Sequence, residues 1–428
     1  ATDIDNARDI KAKVKSIIPL ARASWEQNTA QPETYAGLLN WVSDRVAKVD
    51  VDGKRYQQSL TLAGESATRV RMTQEIEDGS KSDRYLYEWN LIDLDPSSIR
   101  MNVKGKEAYV EVRTVDRKDY IQVMENGEVD DYTDNLEIQC PDAESAQLLA
   151  YGLRKLPALA RDQQVELPVP TSISQAHAAL EASLQDIKTT TTQVKQRLAG
   201  SCQVQYDRDI EKEGSLDEQK KFGLDLSDLN RGSASIEVSG RSVTVAVSTR
   251  ERNRYIYVSE GGEQQNYVDD LAFYAADIPT ARRMLHHLTH YIDLCPTEVK
   301  PTDWAAVQRI VQEGNVAGEG LKQSVELLEE NPCKWAFNLR EDNGRKLTEV
   351  RYEFNLSDLD PSRLEIDIKG KSVLMALVTR NKEDIIKTYT DGGAEQGFDD
   401  EFEWYLSSVP AAKEMLITLR SLIEGCQK

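Results

Sequence analysis

Histidine is scarce: the chain has four in 428 residues. Three of them fall in one run, HHLTH, from His286 to His290, so they cannot supply a general base to several separate sites. The phosphate-cradling GxxxxGK, the nucleophile elbow GxSxG and the zinc-protease pattern HExxH are all missing, and with them the common sequence signatures of catalysis. Long apolar runs are also missing. No window approaches the eighteen or so residues a spanning helix needs. Positive charge is in deficit, with 53 Lys and Arg against 73 Asp and Glu and a formal net charge of -20. Such a chain repels phosphate backbones and anionic surfaces unless a local basic patch intervenes, and none stands out. The sequence therefore reads as non-enzymatic, without cofactors, without nucleic acid and without direct membrane insertion.

What is present is a pattern written three times. LIDLDPSSIRMNVKGKEAYVEVRTV (Leu91 to Val115) matches LSDLDPSRLEIDIKGKSVLMALVTR (Leu356 to Arg380), with a looser copy, LSDLNRGSASIEVSGRSVTVAVSTR, from Leu226 to Arg250. Asp95, Asn230 and Asp360 align at constant offsets, which also carry Gly105 onto Gly240 and Gly370, and Thr114 onto Thr249 and Thr379. Upstream, YEWNL (Tyr87 to Leu91) meets FGLDL (Phe222 to Leu226) and YEFNL (Tyr352 to Leu356). Fixed spacing over so long a stretch indicates internal duplication. It predicts three modules, over residues 1–161, 162–296 and 297–428.

The cysteines follow the same ruler. Cys202 precedes Cys295, and Cys333 precedes Cys426, by equal intervals, and Thr68 and Ala160 stand at the matching places of the first copy. Cysteines present or absent together suit covalent pairs, which would imply an oxidising compartment. Four buried thiols are the plainer alternative, and two sulfurs per site make a poor zinc cage. Cys140 reads as a small buried hydrophobe. A chain beginning ATDID would suit loss of a leader peptide, although a trimmed chain would look the same. The expected location is secreted, periplasmic or cell-surface.

Within each copy, short alternating strands lead into one amphipathic helix. The expected fold class is α+β: three tandem repeats, each a small antiparallel β-barrel or sandwich of six to seven strands closed by a C-terminal helix and preceded by a helical arm. This order of elements resembles the pleckstrin-homology-like barrel superfold, over about Thr68 to Ala160, Cys202 to Cys295 and Cys333 to Cys426. The resemblance lies in element order alone and transfers no functional residue. Members that bind phosphoinositides present basic early loops. Here those loops read EIEDGSKSD, EKEGSLDEQKK and EDNGRKL, two of them more acidic than basic. Peptide or protein binding is the use of such barrels that this charge pattern leaves open.

Three sets of residues are candidates for chemistry. The DLDP loops set Asp93 beside Asp95, Asp228 beside Asn230 and Asp358 beside Asp360, as calcium donors or as ordinary turn formers. On the helix holding HHLTH, His286, His290 and Asp293 share the face opposite the apolar one, as a metal site or a solvated face. In the third arm, Trp304, Val307, Val311, Gly314, Gly318 and Leu321 follow a heptad spacing, which either packs on its own module or meets a partner helix. The functional expectation is a scaffold or protein-binding subunit of an envelope or extracellular assembly, its partner another protein or a second copy. The alternatives are a calcium-dependent adhesin and a carboxylate-based hydrolase with a cleft between modules.

Overall fold

The computed structural model describes residues 2–28, 31–64, 66–125, 127–189, 191–296, 300–315, 320–329, 331–342, 344–390 and 394–428. Period-two burial builds its strands. In Lys54–Leu62, Tyr56, Gln58 and Leu60 are buried while most residues between them are exposed, as a half-buried pleated strand requires. The architecture is mixed α+β, and the sheets are antiparallel, with none closed into a barrel.

A first six-stranded sheet takes, in spatial order, Val49–Val51, Lys54–Leu62, Arg69–Asp78, Lys81–Asn90, Ile121–Glu125 and Glu128–Thr133. A three-stranded sheet of Arg100–Lys104, Glu107–Arg113 and Asn135–Cys140 accompanies it. The same connection order recurs in a six-stranded and a three-stranded sheet between Ile187 and Ala275, and in a five-stranded and a three-stranded sheet between Leu321 and Leu406. Among the described residues these sets contain nine, nine and eight strands, more than the six to seven expected. The barrel expectation is corrected as well, because among the described residues no backbone ladder joins the larger sheet to the smaller.

A glutamine closes that gap. Gln58 Nε2 donates to the Gln139 carbonyl at 3.0 Å and Gln58 Oε1 accepts from the Gln139 N–H at 3.0 Å. Gln196 makes the same exchange with Tyr274 at 3.0 and 2.9 Å, and Gln323 with Tyr405 at 2.9 and 2.9 Å. All three glutamines are buried. A carboxamide carries the same donor and acceptor pair as a peptide unit, so it substitutes for one rung of ladder.

Seven α-helices occur among the described residues: α1 Thr2–Asn28, α2 Tyr35–Ser43, α3 Ala143–Arg161, α4 Ile173–Ser183, α5 Ile278–Leu294, α6 Trp304–Glu313 and α7 Val409–Cys426. Helices α3, α5 and α7 follow the three sets, each capped by the residue before it: Asp142, Asp277 and Ser408. No described helix is long and apolar enough to cross a membrane. The helical arms are shorter than expected. After α4 the chain turns into Thr192–Gly200, and after α6 into Leu321–Leu327, both strands. The β-branched run Thr189 to Thr192 and the turn at Gly314 override the helical spacing.

The heptad seam is corrected accordingly. Trp304, Val307 and Val311 pack into a hydrophobic core with Trp335, Phe337 and Met415 rather than onto a free face. Gly314 ends the helix as its C-cap, and Leu321 opens a strand. Gly318 lies outside the described residues. A Cβ on Gly314 would sit 2.3 Å from the Tyr405 carbonyl and 2.8 Å from Gln323 Nε2, so this glycine makes room for the glutamine bridge.

Disulfides join Cys202 to Cys295 and Cys333 to Cys426, with Cα–Cα distances of 5.5 and 5.7 Å. Each ties the turn just before a strand of the larger sheet, Gln203–Lys212 or Lys334–Asp342, to the end of the closing helix of its set. Thr68 occupies the corresponding backbone position of the first set: its carbonyl accepts from Leu91 N–H, as those of Cys202 and Cys333 accept from Leu226 and Leu356. By compactness the chain divides into two units, Ala1–Pro168 with Val238–Val243, and Val169–Glu237 with Thr244–Lys428.

Two outcomes are expected. Non-reducing peptide mapping recovers Cys202 with Cys295 and Cys333 with Cys426, while Cys140 resists alkylation in the native protein. Burial pushes the Cys140 thiol up to about 12, far above the range of a reactive thiolate. Gln323→Leu strands the Tyr405 N–H and carbonyl and costs about 2–4 kcal/mol in urea unfolding; a loss below about 0.5 kcal/mol would show that the bridge is dispensable.

Candidate functional site

The DLDP loops turn their oxygens inward. Asp95 Oδ1 accepts from Ser97 N–H at 2.9 Å, Asn230 Oδ1 from Gly232 N–H at 3.0 Å and Asp360 Oδ1 from Ser362 N–H at 2.9 Å. These are Asx turns, each bonded to the backbone two residues on. Donation from the Ser362 hydroxyl, together with its backbone N–H, holds the Asp360 carboxyl below its ordinary value. Among the described residues no group of three His, Cys, Asp or Glu side chains is placed to hold a metal.

The histidine face does not gather His286, His290 and Asp293 into one cluster. The His286 and His290 rings lie 4.4 Å apart between centroids, tilted by 46°, and His290 Nδ1 donates to the His286 carbonyl at 2.7 Å. Asp293 turns instead to Arg231, Oδ2 to Nη1 at 2.6 Å. Burial lowers the neighbouring His287, which therefore favours its neutral form.

The feature that gathers chemistry lies in the second unit. A hollow of about 610 Å3 is lined by Gln203, Gln205, Gly223, Asp225, Asp228 and three tyrosines, Tyr255, Tyr257 and Tyr267, with Ser407 to Pro410 at its far wall. Its floor is the outer face of the second large sheet, where Gln205 pairs with Gly223 and Gly223 with Tyr257. The same rung of the first set is Arg71, Glu88 and Gln122. There Glu88 is buried and clamped by Arg69 Nη2 at 2.7 Å and Arg71 Nη2 at 2.5 Å. In the third set Glu353 fills the place and meets Arg351 at 3.0 Å. The second set carries Gln203, Gln205 and Gly223 instead, so acid and cations are gone together and the space is open.

The far wall is fixed to the floor. Tyr267 N–H donates to the Gly370 carbonyl at 3.2 Å, and Gln264 Nε2 to the Lys371 carbonyl at 2.8 Å. Tyr267 is buried in the same core as Trp335 and Phe402, edge-on to Tyr257 with centroids 5.9 Å apart. Lys413 on α7 reaches Asp228 Oδ1 in a close ion pair and lies 5.4 Å from the centre of the Tyr255 ring. Burial pulls its ammonium below the ordinary lysine range, and Asp225 offsets part of that pull. Burial raises the Tyr255 and Tyr267 phenols, with Glu251 adding to the first and Tyr257 to the second. These phenols remain neutral donors at physiological pH.

The site thus offers aromatic faces, carboxamides and hydroxyls around a neutralised ion pair. It suits recognition of a mixed apolar and hydrogen-bonding ligand surface. Sequence reading missed it. The signal was Gly223 standing opposite Glu88 and Glu353 in the aligned copies.

Comparison with family profiles, with characterised proteins and with solved structures returns no match to this chain.

Asp228→Asn leaves Lys413 buried with a weakened partner and costs about 2–3 kcal/mol, and Lys413→Met costs a similar amount. The double variant recovers to within about 1 kcal/mol of the parent, because an uncharged Asn and Met pair leaves no orphaned charge. Strictly additive losses in urea unfolding would show that the two groups do not act as a pair.

Proposed function

We propose that this chain is an exported, non-enzymatic repeat protein, a scaffold or protein-binding subunit of an envelope or extracellular assembly. Its three tandem modules, at residues 1–161, 162–296 and 297–428, descend from one ancestor. The recurrence, in the same order in each set, of the Thr68, Cys202 and Cys333 carbonyls, of the glutamine bridges and of the closing helices supports that descent. Two disulfides favour an oxidising, extracellular environment.

The observation that carries the binding role is the hollow at Gly223. One copy has lost a buried acid and both of its cations, and gains in their place a tyrosine-lined recess of a size that receives side chains of a partner. Tyrosines of this kind supply large contact area at small entropic cost. The partner is a protein segment or a second copy of this chain.

Gly223→Glu restores the residue that the other copies carry and fills the recess. A Cβ at Gly223 meets Tyr257 Cβ at 3.6 Å, an ordinary contact, so the variant folds. In vivo crosslinking in the native compartment should give an adduct with the parent and with Gly223→Ala, and none with Gly223→Glu, at unchanged melting temperature. An adduct of equal yield from Gly223→Glu would refute the hollow as the binding site.

A further inference from the structure

The strongest unassigned feature is α1. At 100° per residue, Ile4, Ala7, Ile10, Val14, Ile17 and Ile18 fall within an arc of about 140°. These side chains are not used by the protein's own core: exposure is 62% at Ile10, 50% at Val14, 59% at Ile17 and 57% at Ile18. Leu20 alone among the large apolar residues here faces the other way.

The charges are arranged around this stripe. Lys13 lies beyond one edge of it, Lys15 just beyond the other and Lys11 inside it near that second edge, and no Asp or Glu occurs from Ile10 to Leu20. Asp9 sits on the opposite face and meets Lys13 at 2.8 Å. In a chain of net charge -20, the run KAKVK from Lys11 to Lys15 is a local basic patch, one that the charge balance of the whole sequence hides.

We propose that α1 lies on an anionic lipid surface, its isoleucine stripe sunk into the acyl boundary and its lysines reaching outward to acidic headgroups. Long lysine stems beside an apolar stripe place the ammonium groups at headgroup level while their methylenes stay in the apolar layer. The helix is not apolar enough to cross a membrane, which leaves it lying in the plane. A bilayer offers apolar depth and negative charge along the full length of the helix. Pairing of two α1 helices would instead set lysine borders against one another, with no acid in the stretch to answer them. The inference stands apart from the hollow, and Gly223→Glu binds lipid normally if both readings hold.

The test uses the full chain, co-sedimented with vesicles of phosphatidylglycerol and phosphatidylcholine, and with phosphatidylcholine alone. Binding is expected to the anionic vesicles only and to weaken with salt. Lys11→Glu with Lys13→Glu and Lys15→Glu should reduce it at least about a hundredfold. Ile17→Asp with Ile18→Asp should abolish it at unchanged melting temperature, because both side chains are exposed. Failure of the parent chain to bind anionic vesicles at low salt overturns the proposal. Retention of binding by the Ile17, Ile18 variant overturns the buried stripe. A dimer that forms without lipid and is lost in that variant assigns the stripe to a second copy. A stoichiometric complex with an acidic protein, in the absence of vesicle binding, assigns it to that partner.

Discussion

A glutamine side chain holds each pair of sheets together, and much of the surrounding geometry follows from it. A large and a small antiparallel sheet that face one another leave edge N–H and carbonyl groups that must find partners or face water. Gln58, Gln196 and Gln323 answer at one point per set, each presenting a donor and an acceptor to a single peptide unit of the opposite strand. The net contribution of two such bonds is modest, about 1 kcal/mol each, but the penalty for leaving the groups buried and unmade is larger. The bridge therefore acts mainly as a specification: it fixes the register between sheets that share no ladder. It also reaches into sequence elsewhere, because Gly314 has to be without a side chain for Gln323 to reach Tyr405.

A second recurring joint explains why three threonines sit at fixed offsets. Thr114, Thr249 and Thr379 each make an isolated bridge to a leucine of the preceding turn, Leu94, Leu229 and Leu359. Each hydroxyl donates to the carbonyl four residues on, at 2.5, 2.6 and 2.7 Å. The chain between is forced through two consecutive left-handed residues, Asp116 and Arg117, Glu251 and Arg252, Asn381 and Lys382. None of these is glycine, so the conformation is held by its anchors, at a cost of order 1 kcal/mol or more per residue. The side chains of the strained pair vary between copies while the threonine does not, as expected when the hydroxyl sets the turn.

Legibility from sequence followed the physics of each feature. The cysteine pairs could be read because the first copy lacks both partners at once, a test that needs no coordinates. Asp95, Asn230 and Asp360 could be read as turn formers because an Asx turn is local, two residues long. The arm from Trp304 onward could not, because its three-and-four spacing continues across Gly314 into a strand whose Leu321 and Val325 sit on it by coincidence; short apolar runs are ambiguous between helix and strand. The glutamine bridges were invisible, since Gln58 and Gln139 are far apart in sequence and a buried carboxamide looks like any surface glutamine. The hollow was half visible: Gly223 against Glu88 and Glu353 showed a difference, and only the cross-strand register tied it to Gln203, Gln205 and Tyr257.

That register gives the hollow its physical logic. Deleting Glu88 alone from the first set would strand Arg69 and Arg71 beside one another without their counter-ion, a destabilising state. The second set carries none of the three, with Gln203, Gln205 and Gly223 at those places, so the floor of the hollow holds no unpaired charge of that cluster. The first copy treats its cysteines in the same way, with Thr68 and Ala160 standing where a disulfide would be and neither leaving an odd thiol. A half-built ion cluster or a single thiol of a pair is worse than either end. A copy freed of a buried ion cluster in this way has a sheet face whose side chains no longer answer to one another. Tyrosines and amides can be placed there to answer to something outside the chain.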